Sequence, residues 1–139
     1  MTVALSAIDR MLATARDRIA RLSACAAAAE HADGALIVDI RPEAQRRLEG
    51  EIPGSLILER NVLEWRLDPT SSARIAEAAA DLRVIIVCSE GYTSSLAAAS
   101  LQDLGLHQAT DIVGGFLRWQ AIGLPTVDGG TPAGQYVAR

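Results

Sequence analysis

Two short apolar runs stand out along this chain. Val84-Ile85-Ile86-Val87 has no polar interruption. A run this short and unbroken predicts a strand buried on both faces. Ala35 to Asp39 reads the same way until its final carboxylate. Elsewhere the period changes. Leu5, Ile8, Leu12, Ala15, Ile19 and Leu22 recur at spacings of three and four, which predicts an amphipathic helix over residues 3–21. Ile75, Ala78, Ala79 and Leu82 repeat that spacing and predict a second such helix. A third runs through Leu96 to Leu104 and stops at Gly105, with Thr93, Ser94 or Ser95 as its cap.

The punctuation between these segments predicts the remainder. Ser23 caps a short helix over 24–30, with Cys25 as a small core residue on it. Pro42 and Glu43 open a helix that Gly50 closes, its Arg46, Arg47 and Glu49 forming a solvated face. Ile52-Pro53-Gly54 turns into a strand over 55–58, and Val62 to Leu67 makes one or two helical turns. Asp68-Pro69-Thr70-Ser71 breaks the chain and caps the helix that carries Ile75. A last strand spans 109–113, Gly114-Gly115 turns sharply, and Phe116 and Trp119 pack into the core from a short helix. The tail after Val127 is rich in glycine and proline and is expected to be loose. Strands thus alternate with helices. The expected fold is α/β, three layers, with a mainly parallel central sheet and helices on both faces. Loops at the carboxyl ends of parallel strands meet in one crevice. Cys88, Asp39 to Arg41, and Glu59-Arg60 all fall at such ends.

Composition narrows the chemistry. A net charge of −4 and 4% aromatic residues argue against a nucleic-acid partner. All 13 basic residues are arginine, so lysine Schiff-base chemistry is excluded. Two cysteines do not make a disulfide scaffold. Charged residues sit where a signal peptide needs an apolar core, and no window has the length of a membrane span. The expected setting is cytoplasmic, with no membrane partner. His31 and His107 stand alone, and no glycine-rich phosphate loop is present, so neither a metal nor a cofactor is expected.

Cys88 is the candidate reactive group. It ends a buried strand, and Ser89-Glu90-Gly91-Tyr92 turns from it into a helix. The N–H groups of such a loop, with the start of the following helix, favour an anion at the cysteine. A stabilised thiolate is a nucleophile at neutral pH. No histidine lies near Cys88 in sequence. The position six residues after it, where cysteine phosphatases place an arginine, is Ser94.

The stretch from Val84 to Leu104 resembles the active-site loop of rhodanese-like domains, the sulfurtransferase family. Ile37 to Glu43 followed by Gly50 to Ser55, and Val113 to Pro125, resemble two further segments of that family, in the same order. The resemblance implies a single rhodanese-like domain over 23–127, with an N-terminal helical extension over 1–22 and a flexible tail over 128–139. It also implies sulfur transfer from a small-molecule donor to a thiol or cyanide acceptor through a Cys88 persulfide. Ser89, Glu90, Gly91, Tyr92, Thr93 and Ser94 are the expected substrate-binding residues. Arg60 is a candidate for substrate-anion contact, as is Arg66, and Asp39 and Arg41 are expected to be structural near the site. Against the loop of mercaptopyruvate sulfurtransferases, Cys88, Gly91 and Thr93 match, while Ser89, Glu90 and Tyr92 do not. Glu90 places a carboxylate where a doubly negative donor would approach, so thiosulfate is expected to be a poor donor. Two rival readings are a weakly catalytic module that binds a partner and a thiol-based reductase of an oxyanion such as arsenate. The N-terminal helix is expected to pack on its own domain, or alternatively to form a homodimer contact.

Overall fold

The computed structural model describes residues 4–139, so the first three residues of the expected N-terminal extension lie outside the described residues. Strands β1 (Leu36–Asp39), β2 (Leu56–Ile57), β3 (Val84–Val87) and β4 (Thr110–Asp111) form one parallel sheet in the order β2-β1-β3-β4. Asp39 pairs with Val87, so the two central strands end level with each other. Successive side chains of a strand point to opposite faces. Val38, Ile40, Ile86 and Cys88 accordingly join one core cluster, and Ile37, Ile85 and Val87 join the other.

Helices cover both faces. Helices α1 (Ala7–Asp17), α4 (Leu63–Leu67) and α5 (Thr93–Asp103) lie on the Cys88 side. Helices α2 (Ala24–Ala32) and α6 (Gly115–Ala121) lie on the other, where Ala24, Ala27, Phe116 and Trp119 fill the core. Helix α3 (Glu43–Glu49) follows β1.

Helix α1 is shorter than its apolar stripe. Ser6 and Asp9 form a capping box at its start. Leu12, Ala15 and Ile19 are buried and the helix packs on α5, whereas Leu5 and Ile8 remain exposed. Beyond the helix the chain runs along the sheet edge. The Leu22 N–H donates to Asp111 O, and the Val113 N–H donates to Leu22 O.

Five expectations need correction, the last of them the tail. Residues 70–82 form no helix. They run as separate i to i+3 turns, and the Ile75 N–H donates to Arg66 O outside the segment. Only Ile75 and Leu82 pack against the core, so tertiary anchoring overrides the helical propensity of the alanines. Cys25 is exposed, not a core residue. Ala24 and Ala27 face inward, and a residue one step from Ala24 is rotated by about 100° on a helix. Arg46 is not on a solvated face. It is buried against the carboxylate of Glu51 at 2.5 Å, and Glu49 is largely buried too. None of Thr93, Ser94 and Ser95 caps α5: Tyr92 holds the cap position without a side-chain bond, Thr93 is the first helical residue, and Ser94 and Ser95 lie inside the helix, buried.

The tail is tied down rather than loose. β2 is an edge strand, and its free backbone groups need partners. Val127 exchanges backbone bonds with Glu51, Gln135 O accepts from the Ile57 N–H, and Val137 bonds to Gly54 and Ser55. Val137 is buried. Gly129 sits so close to Arg46 that a Cβ would lie 1.8 Å from the Arg46 carbonyl oxygen.

Candidate active site

β1 and β3 end together, and the chain must turn there. A cleft of about 660 Å³ opens above those ends. It is lined by Ile40 to Pro42 after β1, by Gln45 and Glu49 of α3, by Glu59 to Asn61 after β2, and by the loop after β3. The three segments expected to converge do converge. Cys88, Ser89, Glu90, Tyr92 and Thr93 all line the cleft, as do Arg41 and Arg60.

The loop's orientation follows from what holds its carbonyls. The Phe116 N–H donates to Cys88 O at 2.8 Å, and the Leu117 N–H donates to Ser89 O at 3.0 Å. These are first-turn N–H groups of α6, which need acceptors outside their own helix. Gly91 O accepts from Arg16 at 2.7 Å and from Arg21 at 2.9 Å. Every peptide here is trans, so each N–H points opposite to the carbonyl that precedes it. The N–H groups of Ser89, Glu90 and Tyr92 therefore point away from α6 and the arginines. Among the described residues none of the three has an acceptor. The Gly91 N–H donates to Cys88 Sγ at 3.2 Å. The loop is thus an anion nest with the sulfur in it.

Two glycines make this geometry possible. Gly91 has φ +85°, and a Cβ there would meet Gly114 N at 2.9 Å and Ile112 O at 3.0 Å. At Gly115 a Cβ would lie 2.5 Å from Cys88 O and 2.7 Å from Gly91 N. Gly115 lets α6 approach the back of the loop.

Charged residues surround the nest. Arg41 is buried and donates to both Asp39 carboxylate oxygens, to Glu49 and to Gly50 O, with Phe116 stacked at 4.2 Å. Burial works against its charge, but the hydrogen bonds and charges of Asp39 and Glu49 outweigh it and hold the guanidinium above its usual range. Ser89 Oγ donates to Glu49 at 2.8 Å. Arg60 pairs with Glu64 at 2.8 Å. Arg66 turns away and donates to Ala73 O, outside the cleft. Ser94 is likewise not available to substrate. Its hydroxyl is buried and donates to Asp111 at 2.7 Å.

Sequence reasoning missed the layer behind the loop. Asp111 is fully buried and accepts from Arg21, Ser94 and Ser95. Arg16 Nε donates to Ser95 Oγ, and its guanidinium lies 5.6 Å from the Tyr92 ring centroid. The available signal was a carboxylate at an inward position of a predicted strand, which demands buried partners. Glu49 looks solvated in the sequence because helix periodicity cannot show that a neighbouring loop covers it. Among the described residues no cluster of His, Cys, Asp or Glu is arranged to hold a metal ion, and no helix is long and apolar enough to cross a membrane.

Residues 23–122 match the rhodanese-like domain family. The chain is 33% identical over 88 residues to the thiosulfate sulfurtransferase GlpE of Pseudomonas savastanoi, covering 63% of this chain and 74% of that one. A solved Rhodopseudomonas palustris protein of unknown function, described as a possible tyrosine phosphatase, superposes with a TM-score of 0.80 at 34% identity, over 91% of this chain and 98% of the other. The polysulfide-sulfur transferase homodimer of Wolinella succinogenes shares the fold, with a TM-score of 0.66 at 21% identity over 86% of each chain.

Proposed function

Since the chain belongs to the rhodanese-like domain family, we propose that it is a sulfurtransferase working through a persulfide on Cys88. The observation that carries this reading is the Gly91 N–H on Cys88 Sγ, inside a loop whose Ser89, Glu90 and Tyr92 N–H groups have no acceptor among the described residues. The Cys88 thiolate attacks the outer sulfur of a donor. The bond between that sulfur and the rest of the donor breaks, sulfur–sulfur in thiosulfate or a persulfide and carbon–sulfur in a mercapto acid, and the leaving group departs with the electron pair. The loop N–H groups stabilise the negative charge of the persulfide, as an oxyanion hole does. An acceptor thiolate then takes the outer sulfur and returns Cys88 to its thiolate form. The two half-reactions share one covalent intermediate, so the kinetics are ping-pong.

The cleft bears on the donor. Glu49, Glu59 and Glu90 bring three carboxylates to its lining, and of its two arginines Arg41 is already committed to Asp39 and Glu49. A doubly negative donor such as thiosulfate is disfavoured there relative to a less charged persulfide or mercapto acid. Glu90→Gln should raise the second-order rate with thiosulfate, most at low ionic strength. Equal rates for the two proteins at every salt concentration would remove Glu90 from donor choice.

The phosphatase description of the Rhodopseudomonas protein supplies the second reading. It is disfavoured for this chain because Ser94 occupies the arginine position and is bonded to Asp111, away from the cleft. The deciding experiment is intact mass after incubation with a sulfur donor. Wild type should gain one sulfur atom, removable by reductant, and Cys88→Ser should not. With Cys25, which is exposed, changed to serine in both proteins, a gain retained in Cys88→Ser sinks the assignment. Turnover of an aryl phosphate without any persulfide would favour the phosphatase reading.

A further inference from the structure

Gly91 O is held by two guanidinium groups, and both come from residues before the family-matched stretch, which begins at residue 23. A loop carbonyl needs one donor. Two charged donors on one carbonyl pull electron density through the Gly91–Tyr92 peptide and make the Tyr92 N–H a better donor. They also fix the direction of that N–H, because the peptide is planar. The two arginines differ in their counterions. Arg21 is neutralised by Asp111 at 2.8 Å. Arg16 makes no ion pair among the described residues. It spends its donors on Gly91 O and Ser95 Oγ, and it lies beside the Tyr92 ring. It thus has no direct carboxylate partner among the described residues, Asp111 being reached only through the Ser95 hydroxyl, and it sits behind the nest.

We propose that Arg16, with Arg21, is a positioning residue for the Cys88 loop: the N-terminal segment orients the Tyr92 N–H and biases the nest toward anions. The proposal rests on the sulfurtransferase reading for its functional meaning, but the anion preference can be measured without any sulfur transfer. It also gives α1 a role that its apolar stripe does not suggest. Leu12, Ala15 and Ile19 dock the helix, and the docking delivers Arg16 to the loop.

The probe is alkylation of Cys88 by iodoacetate, which is anionic, against iodoacetamide, which is neutral. It is done in a Cys25→Ser background, since Cys25 is exposed and would react as well. Arg16 is the residue to change, because Arg21→Gln would also strip Asp111 of its charged partner. Arg16→Gln should lower the iodoacetate-to-iodoacetamide rate ratio by about five-fold, the scale of one charge acting across a partly buried site. Arg16→Lys keeps the charge and should recover at least half of that ratio. In sulfur transfer, Arg16→Gln should lower kcat more than it raises KM, because the nest acts on charge that develops in the transition state. A merely structural role would lower thermal stability and slow both reagents equally. An unchanged ratio in Arg16→Gln, or a lysine variant no better than the glutamine one, overturns the proposal. Wild type that shows the ratio effect but transfers no sulfur would overturn the sulfurtransferase reading and leave the clamp standing.

Discussion

Two buried carboxylates, Asp111 and Glu51, solve the same problem in different places. Each is fully buried and each gathers donors from distant parts of the chain. Asp111 accepts from Arg21, Ser94 and Ser95. Glu51 accepts from Arg46, Gly130 and Thr131. Each network ties a chain terminus to the domain, Asp111 through the segment after α1 and Glu51 through the tail. They differ in what lies next to them. Arg21 and Ser95 connect Asp111 to the clamp on Gly91, while the donors of Glu51 lead to the tail and, through Arg46, to the carbonyl of Arg41, and none of them reaches the Cys88 loop. The same chemistry backs the Gly91 carbonyl in one network and fastens the tail in the other.

Breaking the first network should have the largest effect. Asp111→Ala leaves Arg21, Ser94 and Ser95 without their acceptor, and stranding a buried charge costs about 3–5 kcal/mol. Activity per folded molecule should fall as well, because Arg21 no longer has a fixed position under Gly91. Denaturant melts together with kcat on the folded fraction check both parts. Glu51→Gln should show a similar loss of stability but normal kcat and an unchanged ratio of iodoacetate to iodoacetamide rates. A Glu51→Gln enzyme with altered kcat would erase the distinction between the two networks.

The pH dependence sharpens it. Burial pushes the Glu51 carboxyl up, but the bonds from Thr131, Arg46 and Gly130 outweigh burial and hold it below its ordinary value of 4.5. A depressed folded value means the contribution is fully present above 4.5 and is lost as the pH falls below it. The stability gap between wild type and Glu51→Gln should therefore be constant near neutrality and close in acid. A gap that stays open down to the acid unfolding limit would mean that the ionised Glu51 is not what holds the tail.

The parts of this molecule that were legible in the sequence are those set by local period and local punctuation. β1, β3 and the Cys88 loop announce themselves by an unbroken apolar run followed by turn residues, and strand alternation with helices implies the shared crevice. Arg16, Arg21, Asp111 and Glu51 were not legible, because each acquires its role from a partner 70 or more residues away, as in the contact from Arg16 to Gly91. A charged residue looks solvated until the element that covers it is known. Residues 70–82 failed in the opposite direction. Their pattern is helical, but the bond from the Ile75 N–H to Arg66 O and the packing of Ile75 and Leu82 fix another path. Propensity is a weak prior when tertiary contacts compete with it.

The tail has a second and weaker anchor, which makes the smallest and most selective test. The Tyr136 hydroxyl donates to the Glu77 carboxylate at the surface. Burial and then the Glu77 carboxylate both oppose ionisation of the phenol, which is pushed up to about 12 from an ordinary 10.0. A raised folded value means the contribution is complete below pH 10 and is lost as the pH rises toward 12. Tyr136 is half exposed, so its bond adds little at neutral pH, and Tyr136→Phe should melt within a few degrees of wild type. Between pH 10 and 12 the small advantage of the tyrosine should vanish. The sequence has two tyrosines, so subtracting the tyrosinate absorbance of the Phe variant from that of wild type isolates this one group. A midpoint near 10 in that difference would show that the Glu77 link does not hold in solution, and that Glu51 and the backbone bonds to Gly54, Ser55 and Ile57 fasten the tail without it.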